Sequence, residues 1–271
     1  MDEPALDAIL SLVRARTGVD FSRYRRATVA RRVLNRMLSA KIATLPEYHA
    51  YLRATPAETL DLVGRVAVKV SRFYRNAAAF DLLRETVLPA LARAANGRPL
   101  RIWSAGAGHG EEAHTLALLL EEMHIPGTVT ATDVDLRALE AGKAGFYPAA
   151  AFPELPPALR ARHFEAMRGD PPGWRARDAV RARIRWHFDD VTRSRVARHA
   201  FDLVSCRNVV IYLERAAQEQ AFAGMLAGVA PGGYLFIGEA EWPPQASIGS
   251  LAVVDRRARI FRDRAAQAIA A

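Results

Sequence analysis

Apolar residues at helical spacing open the chain. The first such pattern covers residues 2–15 and ends at Gly18. Its apolar positions are Leu6, Ile9, Leu10 and Val13. Two shorter amphipathic patterns follow over 46–53 and 56–68, each next to a proline that marks a helix start. Residues 1–70 are therefore predicted to form a small all-helical domain.

A further helix, predicted over 22–40, has an apolar face and a basic face. The apolar face consists of Ala30, Val33, Leu34, Met37 and Leu38. The basic face consists of Arg25, Arg32 and Arg36. Residues 1–75 hold fourteen Arg or Lys against seven Asp or Glu, while the whole chain has a formal net charge of +9. This concentration favours docking of an acidic partner over a merely solvated surface.

Composition narrows the function classes further. No apolar run reaches the roughly 18 residues of a membrane span, and the N-terminus lacks the basic region of a signal peptide. We therefore expect a cytoplasmic protein without membrane insertion. Cys206 is the single cysteine and the histidines lack metal-ligand spacing, so neither a disulfide nor a metal is expected. The arginines are not interleaved with aromatic residues, so no nucleic-acid partner is expected.

Residues 71–97 are predicted to join the helical domain to a second domain. In the segment 69–76, two aromatic residues precede Arg75, which is expected to project into whatever the domains enclose. A helix is predicted over 77–95, and Asn96 followed by Gly97 stops it.

From residue 98 to 264, short apolar runs alternate with amphipathic helices, which predicts an α/β fold with a mostly parallel sheet. The predicted strands lie at the start of 100–120, at 128–133, at 183–190, at the start of 201–212, after Pro231-Gly232-Gly233, and at 251–261. The last two follow one another without a long helix, which predicts a terminal antiparallel hairpin. Residues 145–183 are expected to form an extended connection. A small β insertion is predicted near 165–187, with a strand pair around 173–187.

Three alternate glycines, Gly106, Gly108 and Gly110, stand between the first strand and its helix. Glycine permits positive φ and lets a ligand approach the backbone closely. Glu111 and Glu112 follow at once, and their charge disfavours a pyrophosphate at this helix start. A ligand with hydroxyl groups and a positive charge fits better, and S-adenosylmethionine carries both. The alternative is a plain turn whose acidic residues are favoured by the helix dipole.

Polar residues follow two other predicted strands. Asp133 ends the second strand, where nucleotide-binding folds present a carboxylate to ribose hydroxyls. Its alternative role is the N-cap of a helix over 135–144, which Asp135 could serve instead. Arg207 and Asn208 follow the strand that begins at Phe201, at the edge where open α/β sheets bind ligands.

This combination resembles the class I S-adenosylmethionine-dependent methyltransferases, which have a Rossmann-like sheet. Within that class, the motifs resemble the CheR family, the chemotaxis-receptor glutamate O-methyltransferases. The matching motifs are Trp103-Ser104, Gly110-Glu111-Glu112, Ala131-Thr132-Asp133-Val134-Asp135, Cys206 to Tyr212 and Pro231 to Phe236. Similar motifs in the helical domain and the junction are Tyr24-Arg25-Arg26, Arg31-Arg32, Arg36-Met37, Glu47-Tyr48 and Phe73-Tyr74-Arg75. The resemblance thus covers almost the whole chain.

The resemblance implies methyl transfer from S-adenosylmethionine to glutamate side chains on the cytoplasmic helical bundle of chemotaxis receptors, with S-adenosylhomocysteine as the second product. The implied cofactor contacts, together with Gly106 of the glycine loop, are Lys69, Ser71, Arg75, Glu111, Asp133, Asp190, Val191, Arg207 and Asn208. Arg75 is expected to orient a carboxylate. Tyr212 is expected either to line the methyl-transfer site or to be a core aromatic residue. The face formed by Arg25, Arg32 and Arg36 is expected to dock the receptor.

Three of these positions depart from the family, which usually has Asn, Thr and Asn where this chain has Lys69, Ser71 and Asp190. A lysine beside a cationic cofactor is unfavourable unless it faces Glu111, Asp133 or the substrate carboxylate. Two other functions fit the same sequence. One is a methyltransferase with another substrate, although the Asn/Asp-Pro-Pro-Tyr motif of DNA amino-methylases is missing. The other is a methyltransferase-fold module that has lost its cofactor site and acts through protein contacts.

Overall fold

The computed structural model describes residues 2–67, residue 69 and residues 71–264. Its N-terminal part is helical, as predicted. The helices are α1 (Glu3–Thr17), α2 (Arg26–Ser39), α3 (Leu45–Ala54) and α4 (Pro56–Val66). The Asp2 side chain caps the start of α1, and Gly18 ends it in the left-handed conformation. Thr44 and Glu47 form a capping box at the start of α3.

The second helix begins later than the predicted residue 22. Phe21–Arg23 form a 3₁₀ turn, and Tyr24 is extended because it pairs with Leu213 of the α/β domain. The predicted apolar face of α2 contains one error, since Leu38 is 66% exposed. Its neighbour Met37 is buried as predicted.

Arg36 lies against α4. Its guanidinium donates to both carboxylate oxygens of Glu58, at 2.7 and 2.6 Å, and the Glu58 side chain is 3% exposed. The Tyr48 hydroxyl donates to the same carboxylate at 2.7 Å. The ion pair of Arg36 thus holds α2 to α4, and the docking role of Arg36 stays a prediction.

Replacing Arg36 by methionine is expected to lower the free energy of unfolding by about 1.5 kcal/mol, because the buried Glu58 carboxylate loses its charged partner. Urea unfolding followed by circular dichroism measures this loss. The matched control is Arg26→Met, whose partners Glu3 and Asp7 are exposed; it is expected to cost under about 1 kcal/mol. Equal losses in both variants would contradict the structural role of Arg36.

The predicted helix over 77–95 is confirmed, with one irregularity. It consists of α5 (Ala77–Leu82), a π-helical turn at Leu83–Val87 and α6 (Leu88–Ala95). Asn96 ends α6 in the left-handed conformation.

Seven strands form one sheet. The strands of the whole domain are β1 (Leu100–Ala105), β2 (Gly127–Asp133), β3 (Phe146–Tyr147), β4 (Phe164–Met167), β5 (Gly173–Ala176), β6 (Ile184–Phe188), β7 (Phe201–Cys206), β8 (Val229–Ile237), β9 (Leu251–Asp255) and β10 (Ile260–Asp263). The main sheet has the order β6-β2-β1-β7-β8-β10-β9. Its pairs are parallel from β6 to β8, and β10 runs antiparallel to both β8 and β9. The α/β fold and the terminal antiparallel hairpin are confirmed.

Helices lie between the strands of the two sheets of this domain. They are α7 (Glu111–Glu122), α8 (Leu136–Ala144), α9 (Pro157–His163), α10 (Asp178–Arg181), α11 (Arg215–Gly228) and α12 (Gln245–Ile248). Pro231-Gly232-Gly233 lies inside β8, where the register with β7 shifts, rather than in a turn before the strand.

The insertion differs from its prediction. β3, β5 and β4 form a separate antiparallel sheet, whereas β6 joins the main sheet beside β2. The prediction of a strand pair around 173–187 is therefore wrong for the second strand, because β6 pairs with β2 and not with β5. The expected extended connection over 145–183 also contains α9 and α10.

The helical domain shares a core with one face of the main sheet. A single buried cluster joins residues of α1 to α4 with Trp103, Val204, Leu213 and Phe222 of the α/β domain. A second cluster on the other face contains α5, α6 and α7. Within the described parts of the chain, no helix is both long and apolar enough to cross a membrane.

Candidate active site

A cleft opens at the carboxyl ends of β1, β2 and β7, where open α/β sheets bind their ligands. One half, called here the tyrosine half, is lined by Tyr24 and Tyr212 and encloses about 460 Å³. The other, the arginine half, is lined by Arg75 and Arg207 and encloses about 500 Å³. The halves adjoin, because Gly106 lines both.

The backbone of the glycine loop packs closely against neighbouring side chains. Gly106 and Gly110 have φ values of +71° and +94°. A Cβ on Gly106 would clash with Val209, and a Cβ on Gly110 would clash with Trp186. Both positions therefore need glycine for conformation and for space. The loop leaves its backbone open to the cleft at Gly106, as the sequence predicted.

Asp133 lines the tyrosine half from the end of β2. It is buried, and its carboxylate accepts hydrogen bonds from the backbone N–H groups of Gly108 and Asp135 at 2.8 and 2.9 Å. Burial raises the pKa of Asp133. Asp135 is the N-cap of α8, so that alternative role does not fall to Asp133. Each carboxylate oxygen of Asp133 retains a lone pair for a ligand.

The two glutamates at the start of α7 face different spaces. Glu112 lines the arginine half. Its Oε1 accepts from the hydroxyls of Ser104 and Ser205 at 3.0 and 2.7 Å, and its Oε2 lies 3.6 Å from Arg207 Nη1. Glu111 lines a separate pocket and neither half of the cleft. The structure thus places Glu112, and not the predicted Glu111, in the cleft.

Arg207 is buried between aromatic rings. Its guanidinium carbon lies 5.1 and 4.5 Å from the ring centroids of Phe80 and Phe236. The same group donates to the backbone carbonyl of Arg75 at 2.9 Å and to Asn76 Oδ1 at 2.6 Å. Arg207 therefore fixes the connector that carries Arg75 into the cleft, as well as lining the arginine half itself.

The backbone around Arg75 is strained. Tyr74 and Asn76 have φ values of +60° and +66°, in the left-handed region that non-glycine residues rarely occupy. Their backbone N–H groups donate to Thr115 Oγ1 at 3.2 Å and to Glu154 Oε2 at 2.7 Å. These side-chain contacts hold the conformation that turns Arg75 toward the cleft.

Lys69 and Ser71 line the arginine half at the start of the connector. Lys69 forms a buried ion pair with Asp135, and its Nζ donates to the carbonyls of Gly64 and Ala67 at 3.0 and 3.3 Å. Its charge is neutralised beside the cleft by Asp135, which was not among the partners considered from the sequence.

Asp189, and not the predicted Asp190, lines the tyrosine half. Oδ1 of Asp190 accepts from the backbone N–H and hydroxyl of Thr192 at 2.9 and 2.7 Å. Its Oδ2 is buried and has no hydrogen-bond partner within the described residues. Val191 lines the cleft as predicted. Burial raises the pKa of Asp189.

The helical domain completes the tyrosine half. Tyr24 is nearly buried there and faces the same space as Tyr212. A short backbone ladder joins the two segments: Arg25 N–H donates to the Tyr212 carbonyl, and Glu214 N–H donates to the Arg23 carbonyl, both at 2.8 Å. Tyr212 lines the tyrosine half and also packs against the core. Its role at the methyl-transfer site stays a prediction.

Glu241 is a buried residue of the site that the sequence analysis missed. Its carboxylate accepts from the backbone N–H groups of Gly238, Asn208, Val209 and Val210, at 2.6, 3.1, 2.9 and 3.0 Å. Asn208 lines both halves of the cleft with a φ of +61°. Glu241 thus fixes the loop after β7. Glu241 follows the end of β8, just as Asp133 stands at the end of β2. The rule that ligands bind at the carboxyl ends of the strands could therefore have identified Glu241 from the sequence.

A basic groove runs beside the cleft, separated from it by Ala67 and Lys69. It encloses about 1,180 Å³. Its charged lining residues are Arg32, Arg36, Asp61, Arg65, Lys69, Asp135 and Arg137. The buried Nε of Arg32 has no hydrogen-bond partner within the described part of the chain. Arg25, on the first turn before α2, is exposed.

Two family models match the chain, one over each domain. The family model described as the all-alpha domain of CheR methyltransferase matches residues 4–66, and the one described as its SAM binding domain matches residues 69–250. Among the described residues, no group of three or more His, Cys, Asp or Glu could hold a metal ion.

Several curated relatives are chemotaxis protein methyltransferases. One from Listeria monocytogenes is 30% identical over 234 residues, which is 85% of this chain and 87% of the relative. Chemotaxis protein methyltransferase 1 of Pseudomonas aeruginosa is 31% identical over 189 residues, 66% of this chain and 68% of the relative. An uncharacterized 104.1 kDa protein of Rhodobacter capsulatus is 32% identical over 95% of this chain, which spans only 27% of that protein. The chain therefore belongs to the CheR methyltransferase family.

Proposed function

We propose that the protein transfers a methyl group from S-adenosylmethionine to glutamate side chains of chemotaxis receptors, giving glutamyl methyl esters. The charge pattern of the cleft is the observation that carries this proposal. Asp133, Asp189 and Glu112 supply acceptors for hydroxyl and amino groups, and Arg75 supplies a donor for a carboxylate. A pyrophosphate would meet three carboxylates, whereas S-adenosylmethionine offers ribose hydroxyls, amino groups and one carboxylate.

The cleft residues fit the cofactor part by part. Asp133 would accept from the ribose hydroxyls, and Asp189 would accept from the adenine amino group. Glu112 would pair with the ammonium group, and Arg75 would hold a carboxylate of the cofactor or of the substrate. When bound, the cofactor supplies an electrophilic methyl group on a sulfonium. The departures at Lys69 and Asp190 do not argue for a lost site, because each side chain has its own partner nearby.

The substrate glutamate needs little chemical activation. Its carboxylate has a usual pKa of about 4.3 and is already ionised at neutral pH, so a strong general base is unnecessary. The protein has to orient this carboxylate and remove water from it. Arg75 would perform the first task by holding the substrate carboxylate in the arginine half, and Tyr212 is proposed to line the methyl-transfer site.

The basic groove is the proposed docking surface for the acidic helical bundle of a receptor. Arg32 lines this groove and is partly exposed, and Arg25, which lies outside the groove lining, is exposed just before α2. Both groups are available to carboxylates of a partner. Arg36 contributes at most from the edge of the groove, since Glu58 occupies its guanidinium.

The double variant Arg25→Glu, Arg32→Glu is expected to raise the KM for receptor by about tenfold and to leave the affinity for S-adenosylhomocysteine unchanged, because reversed rim charges oppose docking. The assay follows transfer of a labelled methyl group to a receptor cytoplasmic fragment. Arg215→Glu is the matched control, since its side chain is 93% exposed on α11. A loss of cofactor affinity in the double variant would overturn the docking role.

The same assay tests the reaction. A glutamyl methyl ester releases its label as methanol in mild alkali, whereas a methylamine does not. Alkali-stable label would overturn the carboxylate as acceptor, and absence of label on receptor fragments would overturn the proposed substrate.

A further inference from the structure

A second pocket lies beside the arginine half of the cleft. It encloses about 790 Å³ between the glycine loop, α8 and the first strand of the insertion. Its walls are largely apolar and include Ala141, Phe146, Tyr147 and Pro148. Ser71 lines both this pocket and the arginine half, so the two spaces adjoin at the connector.

The carboxylate of Glu111 is the unsatisfied group of this pocket. Glu111 is 7% exposed, and its Oε2 is buried without a hydrogen-bond partner within the described residues. The nearby Tyr147 hydroxyl is already engaged, at 2.8 Å from the His109 carbonyl and 2.9 Å from His114 Nδ1. Burial raises the pKa of Glu111, since an unpaired carboxylate is costly there.

These features select one class of ligand. A buried carboxylate repels anions, and a purely apolar group would leave its oxygen unpaired. A cation on an alkyl stem suits both the apolar walls and the buried carboxylate, because the stem packs against the walls while the charged head contacts the carboxylate. Lysine and arginine side chains have this form.

We propose that this pocket binds a basic side chain of the protein substrate, close in sequence to the glutamate that enters the cleft. The inference rests on the proposed function, since it names a sequence preference of that same reaction. Arg75 and Glu111 then recognise opposite charges on one substrate segment: a carboxylate in the arginine half and a cation in the adjoining pocket. Glu111 would be a specificity residue rather than a cofactor ligand.

A direct binding experiment tests the pocket without any methyl transfer. The protein saturated with S-adenosylhomocysteine is titrated with n-pentylammonium, n-pentanol and pentanoate, and binding is followed by NMR. We expect n-pentylammonium to bind at least about tenfold more tightly than the other two, from one charge-assisted contact. Glu111→Gln should remove this preference, while Glu140→Gln, which neutralises an exposed acid on α8, should keep it. No preference in the intact protein would overturn the pocket.

A methylation experiment tests whether this pocket contributes to the choice of substrate. Receptor-derived peptides that contain the acceptor glutamate are compared with lysine or norleucine at each neighbouring position. At one position or more, lysine should lower KM by about tenfold, and Glu111→Gln should abolish that difference. Ala150→Leu, which adds volume at a lining residue of the pocket without a charge change, should abolish it too. Methylation of all peptides with equal KM would overturn this inference alone, whereas no methylation of any receptor substrate would overturn the proposed function.

Discussion

Replacing Asp133 by alanine is expected to weaken binding of S-adenosylhomocysteine by more than about a hundredfold, since two hydrogen bonds to a charged acceptor are lost. The carboxylate is proposed to receive the two ribose hydroxyls from the end of β2. It also orders the glycine loop, through the bond from Gly108 N–H at 2.8 Å. The substitution thus removes a ligand contact and loosens the loop that lines both halves of the cleft. Isothermal titration calorimetry measures the change.

Two controls sharpen this test. Asp178→Ala removes a carboxylate that is 91% exposed on α10, and its effect on affinity should be negligible. Asp133→Asn keeps one side-chain acceptor and should fall between the alanine variant and the intact protein. If Asp133→Ala binds as tightly as the intact protein, the tyrosine half is not the ribose site.

Residues at the ends of strands were predictable from the sequence. Asp133, Arg207 and Asn208 each follow a short apolar run, and parallel strands bring their carboxyl ends to one edge of the sheet. The periodicity of the helices was equally legible, because a buried stripe leaves a regular spacing. These signals are local, and the fold that unites them is set by the alternation of strands and helices.

The choice between neighbouring residues was not predictable in the same way. Glu111 and Glu112 are about 100° apart around α7, and only the packing of that helix on the sheet decides which one faces the cleft. Asp189 and Asp190 pose the same problem, because the residue at which β6 ends determines which side chain points inward. In both pairs the structure places the other residue, Glu112 or Asp189, in the lining of the cleft. The cofactor contacts of Glu111 and Asp190 stay predictions.

Contacts between the domains were also beyond the sequence. Tyr24 reaches the cleft through its pairing with Leu213, almost two hundred residues later in the chain. The spacing of apolar residues along the chain does not indicate a contact between two such distant segments. Lys69 is a similar case: its charge seemed misplaced until Asp135, at the start of α8, provided the partner. A tertiary ion pair can therefore explain a residue that departs from its family.

Replacing Glu112 by glutamine is expected to weaken binding of S-adenosylhomocysteine by about thirtyfold, as one charge-assisted hydrogen bond is lost. The glutamine still fills the space beside Ser104 and Ser205, so the packing of α7 should be retained. What it loses is the negative charge that faces Arg207 at 3.6 Å and the proposed ammonium group of the ligand.

Glu111→Gln is the matched variant, one residue away on the same helix turn, and should change the affinity by less than about threefold because its side chain lies outside the cleft. Calorimetric titration of both variants compares them directly. A large loss in Glu111→Gln with little change in Glu112→Gln would restore the assignment suggested by the sequence. It would also remove the basis for a separate substrate pocket at Glu111, because that carboxylate would then belong to the cofactor.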